Sequence, residues 1–128
     1  MVPRVVLDTG AVIALSRGDV RVRQVLREAL AQGSSIIVPP VVVTQTIRGG
    51  TGDARILQIL RFAFVSFVGQ RLARSAGQLL GACGLTDAAD ALIMAEALRA
   101  TPSVVLTSDP EDMRALAGGR PDVHVFAV

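Results

Sequence analysis

Apolar residues occur along this chain in short runs that alternate with longer amphipathic stretches. Residues 2–7 form an apolar run that only Pro3 and Arg4 interrupt, and the turn-forming segment 8–10 follows it directly. A short valine-rich run that ends in turn residues is typical of a buried strand. Runs of the same kind predict four further strands, at residues 35–38, 64–68, 103–107 and 123–127.

The segments between these runs carry the spacing and the end signals of helices. Asp19 is suited to cap a helix that runs to about Gln32 and stops at Gly33. Pro40 is suited to the first turn of another helix, which reaches Arg48. The full pattern predicts helices at residues 11–16, 20–32, 40–48, 53–61, 70–83, 86–100 and 110–116.

Strands separated by helices of this size indicate a parallel sheet with helices on both faces. The chain has 128 residues and contains no internal repeat, low-complexity tract or linker. The sequence therefore predicts one α/β domain over residues 1–128, with three layers (α/β/α) and a parallel sheet of about five strands.

The composition limits the kinds of nucleic-acid contact that the chain can make. Half of the residues are apolar (51%), but aromatic residues make up only 3% and all of them are Phe, so aromatic platforms for stacking bases are scarce. All thirteen basic residues are Arg. Arginine suits phosphate recognition, although an arginine-rich chain is also what a GC-rich coding sequence produces. Several arginines are candidates for lining an RNA path, or else ordinary solvated charges: Arg17, Arg21, Arg48, and also Arg23, Arg27 and Arg55.

The chain carries one cysteine, Cys83, which excludes an internal disulfide and is expected to be a small buried residue. The longest apolar run, at residues 36–43, is too short to span a bilayer and contains two prolines. No signal peptide is visible. We therefore expect a cytoplasmic protein that does not bind membranes.

Acidic residues follow two of the predicted strands. Asp8 ends the first strand, Asp109 follows the fourth, and Asp87 and Asp90 open a helix with a spacing that places both on one face. Each could simply cap a helix. If the first and fourth strands are neighbours, however, the acids converge beyond the carboxyl ends of the sheet, where such folds bind ligands. Two carboxylates about 4 Å apart repel by roughly 4 kcal/mol at an effective dielectric constant of about 20, so such a cluster favours a bound cation. All-oxygen ligation suits Mg²⁺ or Mn²⁺.

Four segments resemble, in order and with fitting separations, the motifs of PIN domains. They are residues 5–15 (VVLDTGAVIAL), 38–49 (VPPVVVTQTIRG), 87–95 (DAADALIMA) and 106–112 (LTSDPED). No single motif is specific, but four in order are, and together they cover essentially the whole chain. The short length resembles the VapC toxins of VapBC toxin–antitoxin pairs.

This resemblance implies an endoribonuclease whose Mg²⁺ or Mn²⁺ is held by Asp8, Asp90 and Asp109, with Asp87 as a possible further ligand. It implies a transfer RNA or ribosomal RNA substrate, a homodimer, and a small VapB-like antitoxin whose C-terminal segment covers the pocket. Attack of a metal-activated water on the scissile phosphate would be the reaction.

Further polar residues of these motifs are expected to orient the carboxylates or the metal-bound water. They are Thr9, Gln45, Thr107, Ser108 and Asp112. Gln45 is also the one departure from the family pattern, because the second motif normally supplies a Glu at this position. The alternative function is therefore a PIN-like domain that binds RNA or a protein without cutting.

Other acid-based folds fit less well. The segment Asp8-Thr9-Gly10 also occurs in retroviral-type aspartic proteases, but the predicted helices argue against an all-strand fold. A haloacid-dehalogenase-type phosphatase would need an Asp where Gly10 stands, and a receiver domain would need a lysine. The only histidine, His124, is expected on the surface of the last strand, which excludes a histidine-dependent ribonuclease mechanism.

Overall fold

Five parallel strands form a single sheet in the computed structural model, which describes residues 2–128. The strands are β1 (Arg4–Leu7), β2 (Ile36–Val38), β3 (Phe64–Val65), β4 (Ser103–Thr107) and β5 (Val123–Ala127). Their order across the sheet is β3-β2-β1-β4-β5. This arrangement confirms the predicted parallel α/β sheet. β1 and β4 are neighbours in register from Arg4 opposite Ser103 to Leu7 opposite Leu106, so the residues that follow them emerge side by side.

Seven helices within residues 2–128 connect the strands. They are α1 (Thr9–Ser16), α2 (Val20–Ala31), α3 (Pro40–Thr46), α4 (Asp53–Phe62), α5 (Gln70–Cys83), α6 (Ala88–Arg99) and α7 (Pro110–Ala117). α1 packs with α2, α3 and α4, whereas α6 packs with α5 and α7, and both α1 and α6 lie against β1 and β4. The helices therefore cover the sheet in two groups, as the three-layer prediction requires.

Valine, leucine, isoleucine and alanine fill the core, as the composition requires. Val6 and Leu7 of β1, Val105 and Leu106 of β4, and Met94 of α6 have no exposed surface. The central strands are thus buried on both faces. Their packing on both sides fixes the positions of the residues that follow their carboxyl ends.

Several elements are shorter than the sequence predicts, and the third strand and the third helix have clear physical reasons. The third strand covers two residues rather than five, because β3 lies at the edge of the sheet and pairs only with β2. Phe67, placed in the predicted strand, lies beyond it and is largely exposed. α3 ends at Thr46 rather than Arg48, because Ile47 leaves the helix with extended backbone angles.

One acid lies deep in the protein at the amino-terminal end of the sheet. Glu96 of α6 is only 1% exposed, and its carboxylate contacts Arg99 at 2.7 Å and Arg4 at 3.6 Å. Arg4 also donates to the carbonyls of Glu96 and Ala100, and Arg99 donates to the carbonyl of Phe67. The two guanidinium groups compensate this buried charge, as buried ions require.

Two predictions about single residues have different outcomes. His124 is exposed on β5, as expected, whereas Cys83 is only partly buried. Within residues 2–128, no helix combines the length and the apolar character that crossing a membrane requires.

Candidate active site

Asp8 joins the ends of the two central strands. It follows β1, caps α1 and is 4% exposed. Its Oδ1 accepts a hydrogen bond from the N–H of Ala11 at 2.7 Å, and its Oδ2 accepts from the N–H of Ser108 at 3.0 Å. The Thr107 hydroxyl is a further hydrogen-bond partner of this carboxylate. Asp8 is therefore a helix cap and also a fixed carboxylate between two chain turns.

The protonation of Asp8 reflects opposing influences. Burial raises the pKa of the carboxyl group most strongly, and repulsion from Asp109 adds to the rise. The hydrogen bonds from Thr107, Ala11 and Ser108 act in the opposite direction, because they stabilise the charged form. The net pKa is raised, which is typical of a carboxylate that lacks a neighbouring cation.

Asp90 lies in the first turn of α6, and its pKa is raised to about 6, with burial as the largest cause. Repulsion from Asp87 contributes next, followed by smaller contributions from Asp109, Asp8 and Asp112. Asp87 itself is exposed and caps α6, accepting the N–H of Asp90 at 3.0 Å. The two predicted acids therefore have different roles, because Asp87 caps the helix whereas Asp90 faces the other acids.

Asp109 occupies the cap position of α7 but does not act as its cap. Its side chain makes no capping hydrogen bond, and its backbone N–H donates to the Thr107 hydroxyl oxygen at 2.8 Å. Carboxylate oxygens of Asp90, Asp109 and Asp112 all lie within 4.8 Å of one another. We call these three residues the acidic cluster. The pKa of Asp112 is raised, first by desolvation and then by Asp109.

The donor set of the acidic cluster fits a hard divalent cation. Three carboxylates can supply oxygen ligands, which Mg²⁺ and Mn²⁺ prefer. Within residues 2–128, no arginine forms an ion pair with Asp8 or with the acidic cluster. The negative charge therefore has no protein counter-ion there, which is the condition under which a metal stabilises such a site.

Thr9 and Gln45 meet at the edge of this region. Thr9 is the first residue of α1, directly after Asp8, and its hydroxyl donates to the side-chain oxygen of Gln45 in the last turn of α3. Gln45 therefore brings an uncharged hydrogen-bond acceptor to the edge of the pocket.

The sequence did not single out Gly10 as part of the site. A Cβ atom on Gly10 would lie 2.0 Å from Oγ and 2.4 Å from Cβ of Ser108, so only glycine allows the two turns to approach this closely. The available signal was a glycine in the first turn of a helix, where glycine is otherwise unfavourable.

The predicted RNA-contacting arginines have different surroundings. Arg21 lies over the ring of Phe126, with its guanidinium carbon 5.3 Å from the ring centroid. Arg48 donates to three main-chain carbonyls at the end of α3. Arg17 is exposed beyond the end of α1. Of the three, Arg17 is the one whose side chain is not engaged with Phe126 or with the backbone.

Two cavities lie apart from the acids. One, of about 670 Å³, is lined by residues of α1, α2 and α4, including Leu26, Ile59, Arg23, Arg27 and Arg55. The other, of about 630 Å³, lies between α5 and α6 beside Phe67. The acidic cluster itself lies outside both cavities.

The family profile of the PIN domain matches residues 5–119. The chain belongs to the PIN-domain family. The match contains Asp8 and the whole acidic cluster, and it spans all four segments from which the resemblance was inferred. A sequence search of curated proteins finds no match.

Two solved structures share this fold. The chain is similar to a protein in the complex VapBC2 from Rickettsia felis bound to a DNA fragment from their promoter. The TM-score is 0.73, with 14% identity over 97% of this chain and 98% of that one. It is also similar to a protein in a toxin–antitoxin complex from Klebsiella pneumoniae. There the TM-score is 0.74, with 20% identity over 97% of this chain and 99% of the other. At these identities the likeness concerns the fold.

Proposed function

We propose that this PIN domain is a metal-dependent endoribonuclease and the VapC-type toxin of a toxin–antitoxin pair. The observation that carries the proposal is the acidic cluster, whose three carboxylates lie together at the carboxyl ends of β1 and β4 and form no ion pair with any arginine of residues 2–128. Membership of the PIN-domain family, which includes nucleases, supports the same reaction class. The two toxin–antitoxin structures with this fold support the biological role.

Each acidic residue has a proposed part. Asp90, Asp109 and Asp112 are positioned to hold Mg²⁺ or Mn²⁺, with Asp8 beside them as a further ligand or as the acceptor that orients a water molecule. Asp87 caps α6 by accepting the N–H of Asp90, and so fixes the first turn of the helix that carries Asp90. The bound metal would lower the pKa of water and stabilise charge on the scissile phosphate. Thr107 and Ser108 keep the Asp8 carboxylate in one orientation.

Two of the proposed roles concern substrate and assembly. The proposed substrate is a folded RNA, either transfer RNA or ribosomal RNA, and the proposed compartment is the cytoplasm. Arg17 is the arginine that we assign to phosphate contact, since its side chain is not engaged with Phe126 or with the backbone. We also propose that residues 1–128 act as one domain and that the active form is a homodimer.

The partner proposal draws on the cavity between α1, α2 and α4. Its apolar floor includes Leu26 and Ile59, and three arginines surround it without an acid among the lining residues. A helix with one apolar face and flanking acids complements such a groove. A VapB-like antitoxin is the occupant that the two structural relatives suggest.

RNA cleavage in the presence of a chelator tests the function. Purified protein is expected to cut a folded transfer or ribosomal RNA with Mn²⁺ or Mg²⁺, to stop in EDTA, and to resume when Mn²⁺ is restored in excess. Asp109→Asn is the matched inactive control, since it keeps the side-chain size and removes one charge. Cleavage that persists after complete chelation would exclude this mechanism.

A second function is favoured by one observation, the neutral Gln45 at the position of the usual carboxylate. A PIN domain that binds RNA without cutting it would bind Mn²⁺ and RNA normally but leave the RNA intact. Single-turnover assays with protein in excess distinguish this outcome from slow catalysis.

A further inference from the structure

Arg48 closes the end of α3 with its own side chain. The last carbonyl groups of a helix have no partner inside the helix and need donors from elsewhere. The guanidinium of Arg48 donates to the carbonyl oxygens of Thr44 at 3.0 Å, Gln45 at 2.6 Å and Ile47 at 2.9 Å. A cation at this position also interacts favourably with the helix dipole.

The backbone around Arg48 is fastened separately by Asp53, the first residue of α4. One carboxylate oxygen of Asp53 accepts from the N–H of Arg48 at 2.9 Å, and the other accepts from the N–H of Gly49 at 2.7 Å. Gly49 has a φ of +84°, which suits glycine at this sharp turn. Both the side chain and the backbone of Arg48 are therefore committed to the junction of α3 and α4.

The turn that Arg48 holds carries Gln45. The shortest of its three hydrogen bonds is to the carbonyl of Gln45 itself, and the side chain of that glutamine accepts the hydroxyl of Thr9 next to Asp8. A chain of direct contacts thus runs from Arg48 through Gln45 to Thr9. Three of the five N–H donors of this guanidinium are engaged by the backbone, so only two remain for any phosphate contact.

We infer that Arg48 is a positioning residue, which sets Gln45 against Thr9 at the edge of the candidate metal site, and that it does not contact RNA phosphate. This assignment replaces the RNA-binding role that the sequence suggested for Arg48. Its kinetic consequence rests on the proposed ribonuclease function, whereas its structural consequence does not.

The first experiment does not require RNA. The side-chain amide signals of Gln45 in a nitrogen-15 NMR spectrum can be assigned by their loss in Gln45→Ala. They are expected to shift in Arg48→Lys, which keeps the charge but replaces the fork that spans three carbonyls by one ammonium group. Arg74→Lys, at an exposed site on α5, is the matched control and is expected to leave them in place. Unshifted Gln45 signals in Arg48→Lys would overturn the inference, even if the protein proves not to cut RNA.

The second experiment uses cleavage. Arg48→Lys is expected to lower kcat by on the order of tenfold, since small displacements of an active-site group have effects of this size or larger. KM for RNA is expected to stay within about twofold. In a Gln45→Ala background the same change is expected to add no further loss, because residues that act through one another are not additive.

RNA affinity at several salt concentrations distinguishes the alternative. In Arg48→Gln, which removes the charge that Arg48→Lys keeps, loss of a phosphate contact would reduce the slope of log K against log salt by about 0.7 to 0.9, whereas loss of a positioning residue leaves the slope unchanged. A reduced slope with an unchanged kcat, or independent losses in the Gln45→Ala background, would overturn the inference. Circular dichroism and thermal unfolding of each variant identify any that fail to fold, and Arg48→Gln then replaces Arg48→Lys in the same tests.

Discussion

The two ends of the sheet treat buried acids in opposite ways. At the amino-terminal end, Glu96 is 1% exposed and contacts two arginines. At the carboxyl-terminal end, Asp8 is nearly as buried, and the acidic cluster lies beside it without an ion pair among residues 2–128. Compensated charge at one end indicates a structural role. Uncompensated charge at the other end raises pKa values and indicates a functional site.

The largest expected effect concerns the uncompensated end. Asp109→Asn is expected to lower the cleavage rate by more than about a hundredfold, since even residues that only support metal ligands account for up to that factor. The metal-free variant is expected to be no less stable than the wild type, and more stable by up to about 1 kcal/mol, because one repulsion is removed. Denaturant unfolding and single-turnover kinetics on the same samples measure both. A loss of stability would mean that Asp109 serves the fold.

Glu96→Gln is the matched change at the compensated end. It keeps the side-chain size and removes a charge that faces two arginines, so we expect a loss of about 3 kcal/mol in the free energy of unfolding. RNA cleavage per folded molecule is expected to be unchanged, because Glu96 lies at the opposite end of the strands from the acidic cluster. An unchanged free energy of unfolding would show that water stabilises the charges of Arg4 and Arg99 as well as Glu96 does.

Gly10→Ala tests how closely the two active-site turns must approach. The added Cβ would meet Ser108 at about 2 Å, so the turn after β4 has to move, at a cost of about 1–3 kcal/mol. Gly77→Ala is the control, because a Cβ on this exposed glycine of α5 meets nothing within 4 Å, and alanine there is expected to stabilise the helix by about 1 kcal/mol. Thermal unfolding measures the stability of both variants. Melting temperatures that change in the same direction would contradict the close approach of the two turns.

The pH dependence of stability follows from Asp90. Its pKa is about 6 in the folded protein against 3.8 unperturbed, so between these values the folded state binds more protons than the unfolded state. The contribution of Asp90 to stability is therefore favourable at low pH and is lost as pH rises from about 4 to about 6. Asp90→Asn is expected to remove this component from a plot of unfolding midpoint against pH in metal-free buffer. Added Mn²⁺ is expected to stabilise the wild type mainly above pH 6, where Asp90 is charged.

The smallest expected effect concerns Gln45. Gln45→Glu is nearly isosteric and brings a fourth charge close to the cluster, so Mn²⁺ affinity is expected to rise by about tenfold. Calorimetric titration of Mn²⁺ into both proteins measures it. Equal affinities would show that the side chain at position 45 does not face the cation.

Much of the fold could be predicted because local signals and topology agree. Gly84, with a φ of +73°, ends α5 at the residue that the sequence indicates. The placement of Asp8 and Asp109 side by side followed from the strand order, since β1 and β4 are neighbours. The third strand was overestimated, because an apolar run at a sheet edge looks the same in sequence as a central one.

The remaining details depend on directions and distances that a sequence does not contain. Asp112 was expected only to orient other groups, yet its carboxylate lies among those of Asp90 and Asp109. Gly10 was missed because its importance comes from Ser108, 98 positions away. The guanidinium of Arg48 turns back on its own helix, and no pattern of charges along the chain indicates in which direction a long side chain points.

The hydrogen bond between Asp8 and the backbone of Ser108 joins residues 100 positions apart. Asp90, Asp109 and Asp112 likewise belong to the last third of the chain. During synthesis, the segment around Asp8 leaves the ribosome long before its partners exist, and closing so long a loop has to await them. A nascent or prematurely terminated chain therefore lacks the pocket altogether, so the order of translation delays the appearance of any activity until the polypeptide is nearly finished.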